Sequence, residues 1–157
     1  MRDLEGEILM QLINDSEQSV SDIAKKVGAT RQTTAKKIVA LKKSGVINSF
    51  TVRLNPKKIG LGTKAYIFLR EDPRGEFRHQ NEEAIKKLHQ VSEFYRLFGR
   101  YSAILEVLVK DDKELTNLVK KIHRLKGVRE TETFIVHSTV KDKPEEPFKQ
   151  VLMSKSQ

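Results

Sequence analysis

Residues 19–62 read SVSDIAKKVGATRQTTAKKIVALKKSGVINSFTVRLNPKKIGLG, and the spacing within them decides how the chain is organised. Ser19 followed three residues later by Asp22 is a capping-box pattern, which satisfies backbone N–H groups that a first helical turn leaves open. Val20, Ile23, Ala24 and Val27 then form one apolar stripe on a helix of about two turns. Gly28 ends it, because glycine takes the left-handed conformation without strain. Thr30 is placed to cap a further helix, RQTTAKKIVALKKS, which Gly45 closes about four turns later. Two helices joined by a short glycine-containing turn form a helix-turn-helix.

Upstream, Leu4, Ile8, Leu9, Leu12 and Ile13 repeat at helical spacing over Leu4 to Asn14, with Asp3 placed to cap and Glu5 and Glu7 near the positive end of the helix dipole. In the third helix, at about 100° per residue, Thr34, Ile38 and Leu41 share one side and Gln32, Thr33, Lys36, Ala40 and Lys43 the other. The second set suits a DNA groove. Gln and Thr read base edges, Ala40 permits close approach, and lysines reach phosphate or guanine. Gln32, Thr33 and Lys36 are the candidates for base contact, and Lys25, Arg31, Lys37 and Lys43 for phosphate.

The charge distribution agrees. From Ile23 to Arg70 there is no Asp or Glu, whereas twelve Lys and Arg fall in that stretch, so most of the net +9 is local. One basic segment beside a near-neutral remainder points to a module that touches a polyanion, since clustered base is what counterion release from phosphate rewards. Double-stranded DNA is the expected partner.

Several other chemistries lack their residues. There is no cysteine, which excludes disulfides, thiolate metal sites and cysteine nucleophiles. His79, His89, His123 and His137 are scattered without metal-ligand spacing, so neither a metal nor another cofactor is expected. Asp111-Asp112 suits the N-terminus of a following helix better than paired-acid catalysis, and Gly60-x-Gly62 lacks the third glycine of a dinucleotide loop. No enzyme activity is expected. No apolar run approaches the length of a membrane span, and the start MRDLEGEILMQL interrupts any signal-like stretch with acids, so a cytoplasmic protein with no membrane partner is expected.

Val46 to Leu54 alternates like a strand. Beyond the turn residues Asn55-Pro56 and Gly60-Leu61-Gly62, the pattern predicts a strand over Thr63–Glu71, a helix over about Phe77–Gln90, strands over Glu93–Phe98 and Ile104–Val109, a helix over Asp112–Leu125 and a strand over Val128–Val140. This is βαββαβ, the ferredoxin-like order. Ala65, Ile67 and Leu69 alternate with Tyr66 and Phe68, and ILEVLV is almost unbroken, so strands are apolar on both faces. Two helices cover one face, leaving the other for a second subunit. An apolar fraction of 38% in 157 residues is lean for two independent cores, which also favours shared burial. The tail KPEEPFKQVLMSKSQ, with prolines at 144 and 147, reads as extended and mobile unless Phe148, Val151, Leu152 and Met153 dock.

The stretch from Ile23 to Gly62, with Val27-Gly28, Ile38, Leu41, Gly45-Val46-Ile47, Asn55-Pro56 and Gly60, resembles the helix-turn-helix and linker of the Lrp/AsnC transcription regulators. The phrases FGRYSAILEVLVKD and GVRETETFIVHSTVK resemble that family's ligand-sensing domain, so the resemblance spans about residues 3–141. It implies an α+β chain in four parts: a winged-helix-like DNA-binding domain over 1–45, a β-strand linker over 46–62, a ferredoxin-like sensing and oligomerisation domain over 63–141, and an extension over 142–157. It further implies a homodimer whose sheets join in an αβ sandwich or barrel, with dimers commonly assembling into octamers. An amino-acid effector would bind at an interface built by the hairpin loop, here Gly99, Arg100, Tyr101 and Ser102.

Departures from the family pattern change the expectation. Lys42 stands where an acid is common, and Thr30 replaces the usual Ser while keeping its capping chemistry. Arg100 and Ser102 stand where acids are usual, removing the partner of an ammonium group and supplying a donor for a carboxylate or phosphate. A small anionic effector therefore stands beside an ordinary amino acid as an alternative. Two other functions share part of the pattern: an architectural DNA-binding protein with little sequence choice, and a siroheme-decarboxylase-like enzyme subunit, against which stand the basic third helix and the absence of clustered His and Arg in the second half.

Overall fold

A computed structural model describes residues 3–73 and 75–154, which divide into two compact units. One comprises the residues up to Arg53 together with those from Lys141 onward; the other is Leu54–Val140.

The first unit opens with helices α1 (Leu4–Asn14), α2 (Val20–Val27) and α3 (Arg31–Lys43). Each begins on the residue that local chemistry selects. Asp3 accepts from the Gly6 N–H, Ser19 from the Asp22 N–H and Thr30 from the Thr33 N–H. Gly28 adopts φ +65° and ends α2 in the left-handed region. Ile8, Ile23, Val27 and Leu41 interlock as the core, with Leu12, Ile38 and Ile47 packed around them.

Two expectations in this unit need correction. Val46–Leu54 forms no strand within this chain: it has no ladder partner among the described residues, and Val46, Phe50, Val52 and Leu54 are exposed. An alternating sequence supplies the faces of a strand, but the ladder needs a second strand beside it. The C-terminal extension is not uniformly extended either, because Glu146–Ser154 forms α6, which packs against α1. Pro147 falls in the first turn, where its missing N–H would have found no intrahelical partner. Arg53 is ion-paired to Asp142 at 2.6 Å within the same unit.

The second unit contains a short 3-10 turn at Pro56–Ile59, strand β1 (Thr63–Glu71), helix α4 (Gly75–Lys86), strands β2 (Val91–Arg96) and β3 (Ala103–Val109), helix α5 (Asp112–His123) and strand β4 (Val128–Ile135). The antiparallel sheet has the order β2-β3-β1-β4. The last strand ends at Ile135 rather than Val140: its ladder with β1 runs to Ala65↔Ile135, followed by one bond from the Val136 N–H to the Lys64 carbonyl at 2.8 Å. Asp111 caps α5 through the Glu114 N–H at 2.8 Å.

In-register alternation sorts the sheet's two faces. Ala65, Ile67 and Leu69 of β1 and Ala103, Leu105, Val107 and Val109 of β3 are fully buried, against Ile85 of α4 and Leu115, Leu118 and Ile122 of α5. The opposite face carries Tyr66, Phe68, Ile104, Leu108 and Phe134, which neither α4 nor α5 covers. There the Phe68 ring lies 5.2 Å from Tyr101 and 5.6 Å from Phe134, and Phe134 remains 51% exposed.

Candidate nucleic-acid interface and hairpin loop

α3 is oriented by its buried side. Thr34 and Leu41 are buried, and the Thr34 hydroxyl donates to the Thr30 carbonyl at 3.0 Å, so its polar group is satisfied inside the core. This turns Gln32, Thr33, Lys36, Ala40 and Lys43 outward, and all five are exposed. Thr33 accepts a hydrogen bond from the Thr30 hydroxyl at 2.9 Å, which leaves its own proton free to donate to a base acceptor. Lys25 and Arg31 are also exposed, and neither they nor Lys36 and Lys43 carry an ion pair among the described residues.

Lys37 differs from the other phosphate candidates. Its Nζ lies 2.8 Å from Glu5 Oε1 on α1, so it carries an intramolecular ion pair while its side chain stays 42% exposed. Lys42 sits 5.8 Å from the centre of the Phe50 ring, a cation–π arrangement that sequence spacing did not suggest.

At the hairpin between β2 and β3, the four expected effector residues have unequal freedom. The Ser102 hydroxyl donates to the Leu69 carbonyl at 3.1 Å and accepts from the Glu71 N–H at 3.1 Å, tying the loop to the end of β1. The Tyr101 hydroxyl is bonded to Glu132. Arg100 is 73% exposed, stacks at 5.3 Å from the Tyr101 ring and approaches Glu130 only to 3.9 Å. Gly99 is exposed at the turn. Arg100 is thus the member of the group whose charge is most available to a ligand.

Behind the loop lies a polar cluster that sequence reading did not identify. The Glu71 side chain has no solvent exposure; it is ion-paired to Arg96, accepts from Asn81 Nδ2 at 2.9 Å and lies 3.3 Å from the Ser102 hydroxyl. Arg96 also contacts Glu82 at 2.8 Å. On the uncovered sheet face, Glu106 accepts from Lys64 at 2.8 Å and Tyr66 at 2.9 Å. Burial pushes the Glu106 pKa up, but the hydrogen bonds from Lys64, Tyr66 and Ser92 and the Lys64 charge outweigh it and hold the group below the ordinary carboxylate value.

Residues 64–146 match the Lrp/AsnC ligand binding domain. A Pyrococcus horikoshii protein, the uncharacterized HTH-type transcriptional regulator PH1916, is 31% identical over 137 residues, covering 86% of this chain and 91% of that one. The chain belongs to the Lrp/AsnC family. The HTH-type transcriptional regulator FL11 of the same organism is 29% identical over 147 residues, 94% of this chain and 96% of that protein. Among solved structures, an AsnC family transcriptional regulator from Agrobacterium tumefaciens superposes with a TM-score of 0.86 at 26% identity, covering 96% of this chain and 99% of that one. NMB0573 from Neisseria meningitidis, solved as a complex with L-Met, shares the fold with a TM-score of 0.88 at 16% identity and the same coverage. This Lrp/AsnC chain is a DNA-binding transcription regulator with a helix-turn-helix and a ferredoxin-like domain. No helix among the described residues is long and apolar enough to cross a membrane.

Proposed function

We propose that the protein acts in the cytoplasm as a homodimer that places two copies of α3 in successive major grooves of a roughly palindromic site, with half-site centres about 34–36 Å apart. Gln32, Thr33 and Lys36 contact base edges, and Lys25, Arg31 and Lys43 contact phosphates. The observation that carries this reading is the exposed Gln32/Thr33/Lys36/Ala40/Lys43 face, set opposite buried Thr34 and Leu41 in a segment without acids. The uncovered sheet face with Phe68 and Phe134 is the surface a second copy covers, and dimers assemble further into octamers. The DNA-binding part corresponds to 1–45, the linker to 46–62, the sensing domain to 63–141 and the extension to 142–157.

Gel-shift titrations over a range of salt concentrations test the interface. Lys43→Ala is expected to lower affinity for every sequence and reduce the slope of log K against log salt by about 1.8, the contribution of one phosphate contact from each subunit of the dimer. Gln32→Ala is expected to relax preference at one position per half-site, at a cost of about 1–3 kcal/mol. Unchanged footprints and slopes in both variants would remove α3 from the interface.

The hairpin Gly99–Ser102 binds a small acid through Arg100 in this proposal. With Ser102 and Tyr101 engaged internally, the guanidinium is the group that reaches solvent, and a carboxylate or phosphate is its chemical complement. Melting shifts against amino acids, other small carboxylates and phosphates test it: a ligand at 100 times its Kd stabilises by about 2.7 kcal/mol. A shift that persists in Arg100→Ala, or none with any acid, contradicts it.

A further inference from the structure

The ion pair between Lys37 and Glu5 divides the bases of α3 into two kinds. Lys37 lies about 100° around the helix from Lys36, on the flank between the outward face and the buried Thr34 and Leu41. Its Nζ meets Glu5 Oε1 at 2.8 Å, and the two side chains are 42% and 45% exposed. Glu5 stands in the first turn of α1, where the helix dipole favours a negative charge whether or not Lys37 is present. Lys36, Lys42 and Lys43 have no acidic partner among the described residues.

We propose that Glu5 is a positioning residue for DNA binding: it holds Lys37 off the phosphate backbone, so that Lys37 releases no counterion when the protein binds. This rests on α3 being the DNA-facing helix. Glu5 supplies the carboxylate oxygen that Lys37 donates to, and the pair joins α1 to α3 across 32 residues of sequence. The number of phosphates neutralised by α3 is therefore smaller than its count of lysines, which limits sequence-independent affinity and leaves more of the binding to base contacts.

The test is the salt dependence of binding to a non-specific duplex of fixed length between 50 and 200 mM salt, for the full chain and four variants. Glu5→Gln is expected to steepen the log–log slope by about 1.8, one added contact from each subunit of the dimer, equivalent to about 12-fold more loss of affinity over that range. Adding Lys37→Ala to Glu5→Gln returns the slope to that of the unaltered protein, and Lys37→Ala alone is the variant that separates release of Lys37 from a net-charge effect, which would lower its slope. Lys37→Ala alone leaves the slope unchanged, whereas Lys43→Ala lowers it. The proposal is overturned if Glu5→Gln leaves the slope unchanged, if the gain survives in the double variant, or if Lys37→Ala alone lowers it by about one contact per subunit. In each of those cases a lowered slope in Lys43→Ala keeps the α3 interface standing. No change in Lys43→Ala removes both.

Discussion

Replacing Arg96 by alanine is the sharpest test of how the hairpin loop is held. The substitution leaves the Glu71 carboxylate, whose side chain has no solvent exposure, with Asn81 at 2.9 Å and the Ser102 hydroxyl at 3.3 Å but no cation. Removing one member of a fully buried pair costs about 3–5 kcal/mol, because the remaining charge is stranded. Here Arg96 is 32% exposed and water can follow into its place, so the expected cost is lower, at about 2–3 kcal/mol. The lost Arg96–Glu82 contact, with both side chains 32% exposed, adds at most about 1 kcal/mol. In Glu71→Gln/Arg96→Ala no charge is stranded and the Asn81 bond has an amide oxygen to donate to, so the double variant is expected to recover most of the loss. Chemical denaturation followed by far-UV circular dichroism, with amide exchange on β1 and β3 to assign the effect to this unit, measures both. A single variant within about 0.5 kcal/mol of the unaltered protein, or a double variant no better than the single, refutes the stranded-charge reasoning.

Gly127 has φ +82°, and a Cβ there would meet Phe77 Cδ2 at 2.9 Å, so Gly127→Ala combines a left-handed penalty of about 1–2 kcal/mol with a steric clash and is expected to lower the denaturation midpoint. Ser19→Ala removes the cap of α2 and is expected to cost about 1 kcal/mol, read from melting of the helical unit. The Glu106 pKa is depressed in the folded chain, so its contribution to stability is fully present above the ordinary carboxylate pKa and is lost as pH falls through the lower folded value. Glu106→Gln is expected to flatten that acid-side loss in pH-dependent denaturation curves.

Local patterns were the legible part of this chain. Ser19, Thr30 and Asp111 cap the helices their spacing implied, and Gly28 ends α2, because caps depend on neighbours a few residues away. The two faces of β1 followed from period-two alternation for the same reason. What escaped was set at longer range. Val46–Leu54 has the alternation of a strand and no strand beside it among the described residues, and α6 was obscured by Pro144 and Pro147 although the latter sits in a tolerated first-turn position. In the candidate DNA-binding region the outward side of α3 was legible from 100° geometry, whereas the pairing of Lys37 with Glu5 depends on how α1 packs. At the hairpin, the residues Arg100 and Ser102 looked equivalent as departures from an acidic pattern. Only the fold shows Ser102 tied to Leu69 and Glu71 while Arg100 extends into solvent.

Selection from a random duplex library addresses the outward face of α3 most directly. The unaltered protein is expected to enrich a two-fold related motif with half-site centres one helical turn apart, and Gln32→Ala to enrich the same motif with one position per half-site relaxed. Enrichment of no motif, or of an identical motif by both proteins, would contradict sequence reading by α3.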